Sequence, residues 1–340
     1  MKRNDEFLKG KTVLVTGGTG TFGNFIIPYL LDAKVGQVRV FSRDEDKQYH
    51  MRQKYKEHES IFSFVLGDVR DYRRFEQAMA GVDYVFHAAA LKHIDTSEIQ
   101  PMEYVRTNLL GTENLVRAAD CNDVTKVVFV STDKAVKPVN LYGMTKAVSE
   151  KIITAANATA KKTRFLCVRY GNVLGSRGSV VPFFKGVIEQ GKTIPITHPE
   201  MTRFMLPLDN AIDLVLKAAQ YGNGGEIFVK KMPGCRITDL AEAMGRVYSG
   251  KERYPTEIIG IRPGEKIHET LVSAEEMLYA KEYEQEFVLK RTDKNNIVGE
   301  LKLEEYNSKN TVQLSVPEIE KMLRDNGWAP EKENTGKKKN

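Results

Sequence analysis

Lys11-Thr-Val-Leu-Val-Thr16-Gly17-Gly-Thr-Gly20-Thr-Phe-Gly23 decides the fold of this chain. Thr12 to Thr16 is a short β-prone run, and the three spaced glycines that follow open onto an amphipathic stretch. A strand that turns through G-x-x-G-x-x-G into a helix lets backbone amides approach a pyrophosphate at the helix amino terminus. Gly17, Thr19, Gly20, Thr21, Phe22 and Gly23 are therefore expected to shape the phosphate end of a dinucleotide site.

The same strand-then-helix rhythm continues outward. Val38 to Phe41, Ile61 to Leu66, Val82 to His87, Val127 to Val130 and Phe165 to Arg169 read as strands separated by helix-length segments. This predicts an α/β fold, a Rossmann-like doubly wound parallel sheet with a smaller C-terminal substrate-binding lobe. The expected division is a dinucleotide-binding domain with the catalytic residues over 8–170, a lobe mainly for substrate over 171–272, and an extension over 273–340. That extension should carry a helix at Val316 to Asn326 and a frayed end.

Composition narrows the class. The net charge of +6 over 340 residues is small, and part of it lies in Gly336 to Asn340, so no nucleic-acid partner is expected. Cys121, Cys167 and Cys235 are far apart, without zinc or redox spacing, which fits a reducing cytoplasmic compartment and no metal. No apolar run nears the ~20 residues that span a bilayer, so no membrane partner is expected.

The reactive residues cluster at Val130-Ser-Thr-Asp-Lys134 and Tyr142-Gly-Met-Thr-Lys146. Tyr142 and Lys146 share a helix face, and the ammonium can favour tyrosinate by lowering a pKa that starts near ~10. That makes a base for a hydroxyl proton as hydride leaves toward a nicotinamide. Asp133 and Lys134 end a buried strand, beside Ser131 and Thr132. An acid and a base there exceed what hydride transfer needs and point to elimination. At the second strand tip, Ser42 and Arg43 are donors suited to a ribose 2′-phosphate, which favours NADP, with Lys47 nearby. Asp44, one step later, either bonds a ribose hydroxyl or caps the helix of Asp46 to Lys54. Asp68 and Val69 are placed at the adenine edge, and Ala88 to Ala90 offer a small surface for the nicotinamide ribose. His87 reads as a packed, hydrogen-bonded imidazole, and His93 is given no role.

On these residues the chain resembles the extended short-chain dehydrogenase/reductases. More narrowly, it is similar to the soluble, inverting UDP-N-acetylglucosamine 4,6-dehydratases of pseudaminic-acid and related glycan pathways, over roughly residues 8 to 272. The motifs that carry the likeness include Phe41-Ser-Arg-Asp-Glu45, Gly67-Asp-Val-Arg-Asp71, His87 to His93, Ser131 to Lys134 and Leu141 to Lys146. Arg169 to Val173, Gly175 to Pro182, Met201 to Phe204 and Ile261 to Lys266 complete them. The resemblance implies NADP, UDP-N-acetylglucosamine or a close UDP-acetamido sugar, and assembly as dimers or hexamers. It gives Lys92 contacts to cofactor and substrate. It gives Asn172, Thr197, Arg262 and Glu265 contacts to the UDP-sugar, with Val173, Leu174, Gly175, Ser176 and Arg177 as the adjoining loop. From about Glu276 the chain looks more like longer capsule-type relatives, some of which also epimerise carbon 5. Tyr142, where several membrane-bound and capsule-type relatives carry Met, favours the soluble inverting branch.

The implied chemistry starts with Tyr142 taking the 4-hydroxyl proton while Thr132 bonds the same oxygen. Lys134 then removes the carbon 5 proton, its pKa brought toward neutrality by Lys92, Lys137 and Lys146 and by desolvation. Asp133 protonates the departing 6-hydroxyl. A nucleotide-sugar 4-epimerase would not need Asp133 and Lys134; a retaining hexose dehydratase usually carries Thr-Asp-Glu in their place. An NADP-sensing binding protein would need none of the reactive groups.

Overall fold

The computed structural model describes residues 6–290 and 304–330. The expected frayed end and part of the 273–340 extension lie outside the described residues. Strands β1 (Thr12–Thr16), β2 (Gln37–Ser42), β3 (Phe62–Leu66), β4 (Tyr84–His87), β5 (Lys126–Val130) and β6 (Arg164–Arg169) are parallel. Their spatial order is β3-β2-β1-β4-β5-β6. The order reverses between β1 and β4, and the crevice above the carboxyl ends at that point is where such sheets take ligands.

These strands read as unbroken apolar runs because the sheet is covered on both faces. Helices Thr21–Asp32 and Leu208–Tyr221 pack together, and Tyr72–Met79, Gly111–Cys121 and Leu141–Ala156 form a second packed layer. Val13, Leu14, Val15, Val85, Phe86, Val127 and Leu166 are fully buried between them. Each such side chain contributes ~1.5–3 kcal/mol relative to exposure, so this core fixes the strand tips that carry the reactive groups.

The sheet does not stop where the sequence pattern loosens. Ile227–Lys230 adds in parallel to β6, then Glu286–Leu289 and Ala280–Glu282 extend the edge antiparallel. A second buried cluster joins Leu174, Val181, Phe184, Leu240 and Met244 to Ile319 and Leu323. The last two lie on the helix Val316–Asp325, which starts at a capping box of Ser315 and Glu318. Among the described residues no helix is long and apolar enough to cross a membrane, and no group of His, Cys, Asp and Glu could hold a metal ion.

Candidate active site

The glycine turn is built for close approach. Gly17 sits at φ +63°, and a Cβ there would lie 3.0 Å from the Ala89 backbone nitrogen, so the turn after β1 lies against the loop after β4. Gly20 caps the helix Thr21–Asp32 with no side-chain bond, and no acidic residue occupies its first turn. The positive end of that helix is thus left for an anion. Gly23 packs on the Gly18 backbone beneath the turn.

A cavity of about 750 Å³ opens above the strand tips. Gly17, Thr19, Gly20, Thr21 and Phe22 line one side, with Ser42, Arg43, Asp44, Lys47 and Val69 at the second strand tip. Ala88, Lys92, Ser131, Thr132, Lys134, Tyr142 and Lys146 line its centre. Asn172, Val173, Ser176, Arg177, Arg262 and Glu265 complete it. Gly23, Asp68, Asp133, Leu174, Gly175 and Thr197 do not line it.

Asp44 accepts from the Lys47 amide at 3.0 Å and pairs with the Lys47 ammonium, which holds its carboxyl below the usual range. Asp44 thus caps the helix Glu45–Lys54 while still lining the cavity. Asp68 faces Arg70, at 2.7 Å, and Arg43, at 3.5 Å. Burial opposes its charge, but those guanidiniums keep its pKa low. Arg43 remains half-exposed at the cavity. The residues fit a dinucleotide: an uncapped helix end, a cationic strand tip, and two cavity-lining hydroxyls, Thr107 Oγ1 and Ser131 Oγ, buried without a protein partner.

Two elements interlock at the reactive centre. Helix Leu141–Ala156 begins at Asn140, whose Oδ1 accepts from the Gly143 amide at 2.8 Å. A Cβ on Gly143 would lie 2.3 Å from the Lys134 carbonyl, so only glycine lets the helix start lie on the Asp133–Lys134 turn. Tyr142 is buried, and loss of solvation pushes its phenol up to about 12 despite the Lys134 charge and a Thr132 hydrogen bond that favour tyrosinate. Lys146 donates to the Val130 carbonyl at 2.7 Å and sits 3.7 Å over the Phe129 ring. Burial lowers its pKa to about 7.

The expectation for Lys134 is corrected. Its ammonium lies 3.1 Å from Asp133 and 3.5 Å from Glu269. Burial works against the charge, yet the two carboxylates outweigh it and hold the amine above its ordinary value. Lys137, expected to depress it, is paired with Glu305. Asp133 is fully buried; loss of solvation raises its pKa, and its Oδ2 has no hydrogen-bond partner. Glu269 also faces Arg203 at 3.9 Å and Lys266 at 3.8 Å. Sequence reasoning missed Glu269, Arg203 and Lys266 as site residues. Arg203 and Lys266 do stand inside the Met201–Phe204 and Ile261–Lys266 motifs.

On the opposite wall, Asn172 Oδ1 and Ser179 Oγ are buried without a protein partner and line the cavity. Arg262 and Glu265 pair at 3.0 Å, and Lys92 donates to the Arg177 carbonyl at 2.5 Å. Thr197 does not reach this wall. It is buried just after the short strand Ile194–Ile196, and its hydroxyl is turned to Met201 Sδ at 3.1 Å. Leu174 is in the second core, and Gly175 lies against Trp328. His87 is a packed imidazole, 3.0 Å from Thr16 Oγ1, its pKa lowered to about 3 by burial.

Residues 13–291 match the polysaccharide biosynthesis protein family. The chain belongs to that family. A UDP-glucose 4-epimerase of Rickettsia rickettsii (strain Sheila Smith) is 44% identical over 328 residues, covering 92% of this chain and 95% of the relative. Pen from Bacillus thuringiensis is 38% identical with a TM-score of 0.88, covering 95% of this chain and 99% of that one. DesIV, a dTDP-glucose 4,6-dehydratase from Streptomyces venezuelae solved with NAD and TYD bound, is 22% identical with a TM-score of 0.67. It covers 75% of this chain and 86% of its own, and at that distance it shows the shared fold. The family member described here thus shares the Rossmann-like α/β architecture of these solved structures.

Proposed function

We propose that this family member is an NADP-dependent UDP-N-acetylglucosamine 4,6-dehydratase that inverts carbon 5, supplying a UDP-4-keto-6-deoxy sugar for surface-glycan biosynthesis. The observation that carries the reading is the Asp133–Lys134 pair at 3.1 Å, the aspartate fully buried and the lysine lining the cavity, directly after Thr132. Bound NADP would supply a reversible acceptor for the hydrogen on sugar carbon 4, held by the glycine turn, Ser42, Arg43 and Ser131.

The chain's own groups account for the proton movements. Tyr142, in its tyrosinate form favoured by the Lys134 charge and the Thr132 hydroxyl, takes the 4-hydroxyl proton. The resulting ketone acidifies carbon 5. A charged Lys134 cannot act as a base, but passing one proton to Asp133 creates a neutral amine and a carboxylic acid together. Burial of Asp133 favours that protonated form. Lys134 then takes the carbon 5 proton as Asp133 protonates oxygen 6. The C5–H and C6–O bonds break, a C5–C6 double bond forms, and water leaves. The hydride taken from carbon 4 is finally returned at carbon 6 while carbon 5 takes up one proton, on the face opposite the one Lys134 deprotonated if the centre inverts. Tyr142 gives up the proton it gained, so the protein is restored and no outside reductant is consumed.

Lys92, Asn172, Ser176, Arg177, Arg262 and Glu265 suit the UDP-sugar, and a cytoplasmic homo-oligomer belongs to the same proposal. The names of the Rickettsia relatives favour a second reading, UDP-glucose 4-epimerase. NMR of fresh product from UDP-N-acetylglucosamine and from UDP-glucose decides between them. Loss of the 6-hydroxyl with a 4-ketone supports dehydration, whereas inversion at carbon 4 with oxygen 6 retained would overturn it.

A further inference from the structure

The loop from Val173 to Ser179 lines the cavity, and its shape depends on what it touches. Inside it, the Ser176 amide donates to the Val173 carbonyl at 3.2 Å and the Ser179 amide to the Ser176 carbonyl at 3.0 Å. On the dinucleotide side, the Arg177 amide donates to Thr21 Oγ1 at 3.3 Å while its carbonyl accepts from Lys92. The other side is closed by Trp328, the single tryptophan of the chain. Gly175 has φ +70°, and a Cβ there would lie 2.1 Å from the indole Cζ2 and 2.3 Å from Nε1. The indole therefore lies against the loop backbone.

Trp328 is itself anchored. Gly327, at φ +72°, reverses the chain after the helix Val316–Asp325, and the Trp328 amide donates to the Leu323 carbonyl at 2.7 Å. The ring packs on the cluster that includes Leu174, Val181 and Phe184, with Lys185 Nζ 6.0 Å away. Leu174 belongs to the loop, so one core holds both the indole and the segment it presses on.

We propose that Trp328 is a positioning residue that holds the 173–179 loop against the cavity, so that the C-terminal segment sets affinity for a nucleoside diphosphate ligand without entering the chemical step. Arg177 and the partnerless Ser179 hydroxyl are the loop groups that would meet that ligand. Only the choice of ligand rests on the nucleotide-sugar reading above.

The test compares full-length Trp328→Ala, Trp328→Phe and Gly175→Ala with the native chain, using deuterium exchange of the 174–179 amides, calorimetry with UDP, and steady-state kinetics. In Trp328→Ala, loop exchange and the UDP dissociation constant should each rise on the order of tenfold, the scale of losing one packed aromatic contact. KM should follow while kcat stays within about twofold, and Trp328→Phe should restore most of both. Gly175→Ala should loosen the loop from the other side while the Trp328 amide stays protected. Unchanged loop exchange in Trp328→Ala, or a fall in kcat at unchanged KM, overturns the proposal. If the loop loosens as expected but the native chain does not bind UDP, the loop assignment stands and the nucleotide-sugar reading fails.

Discussion

Replacing Asp133 by asparagine removes the acid while keeping its shape, and the structure sets how large the consequence should be. Asp133 is fully buried, with Oδ1 accepting from the Thr132 hydroxyl at 2.9 Å and from the Lys134 ammonium at 3.1 Å. At an effective dielectric constant of ~20, two unit charges ~3 Å apart attract by about 5 kcal/mol. Glu269 still neutralises Lys134 in the variant, and the amide oxygen can still accept a hydrogen bond. The stability loss should therefore sit near the low end of the ~3–5 kcal/mol seen when one partner of a buried pair is removed. Function should divide more sharply. Tyr142, Thr132 and Lys134 remain, so reduced nicotinamide should form in a single turnover within about tenfold of the native rate. Elimination should slow by ~10²–10⁴, the usual contribution of a positioned acid. Stopped-flow absorbance follows the first step, and rapid quench with mass spectrometry of the sugar follows loss of water. Elimination at the native rate in a folded variant would refute the role given to Asp133.

Lys134→Ala should still reduce some nicotinamide but lose elimination by ~10²–10⁴; in heavy water the native enzyme should place deuterium at carbon 5, and a variant doing so at full rate would make Lys134 a structural charge only. Tyr142→Phe should stop the first step, and because burial lifts the phenol to about 12, native single-turnover oxidation should speed up as pH rises from neutral to alkaline; a flat profile or an active variant places the base elsewhere. Arg43→Ala should weaken NADP more than NAD by about tenfold or more in calorimetry, the scale of one charge-assisted hydrogen bond, and equal losses would remove Arg43 from the 2′-phosphate. Glu276→Gln breaks a buried pair with Arg169 and should cost about 3–5 kcal/mol in denaturant titrations. Because Arg169 depresses the Glu276 pKa against burial, that difference should be full above the ordinary glutamate value of ~4.3 and shrink as pH falls through the lower folded-state value. A pH-independent difference would point to packing instead.

The six parallel strands were legible because strands buried on both faces must be continuous apolar runs, and the reactive residues because they stand consecutively at one strand tip and one helix turn. What the sequence could not convey is the charge state of Lys134. That depends on Glu269 and Arg203, which the fold brings from far along the chain into the same buried pocket. Tyr142 and Lys146 illustrate the same limit. Their spacing places them on one helix face, but the direction of the lysine is decided by the Val130 carbonyl and the Phe129 ring of a neighbouring strand. The Thr197 hydroxyl meets Met201 Sδ within its own turn, a local contact that spacing along the chain does not reveal. The added strands Glu286–Leu289 and Ala280–Glu282 lie in a Glu- and Lys-rich stretch whose apolar signal is weak, and their place at the sheet edge comes from pairing alone.

Two buried ionic clusters lie near each other in this molecule, and the contrast between them separates architecture from chemistry. Around Arg169 every donor is used: Nε and both terminal nitrogens reach Glu150, Glu276 and the Leu271 carbonyl in five hydrogen bonds. Such a saturated cluster has no spare valence for a ligand, and it ties β6 to the helix Leu141–Ala156 and to the chain after Val272. Around Lys134 the satisfaction is incomplete, because Asp133 Oδ2 and Glu269 Oε2 are buried without a hydrogen-bond partner. Partly satisfied charges in a low-dielectric site are destabilising relative to a packed apolar core. Stability alone therefore gives no reason to keep them packed behind Lys134, which lines the cavity. Under the dehydratase reading proposed above they have a use, since dehydration needs an acid and a base at the same moment, whereas the epimerase reading gives them no proton to move. The product NMR is the measurement that separates the two.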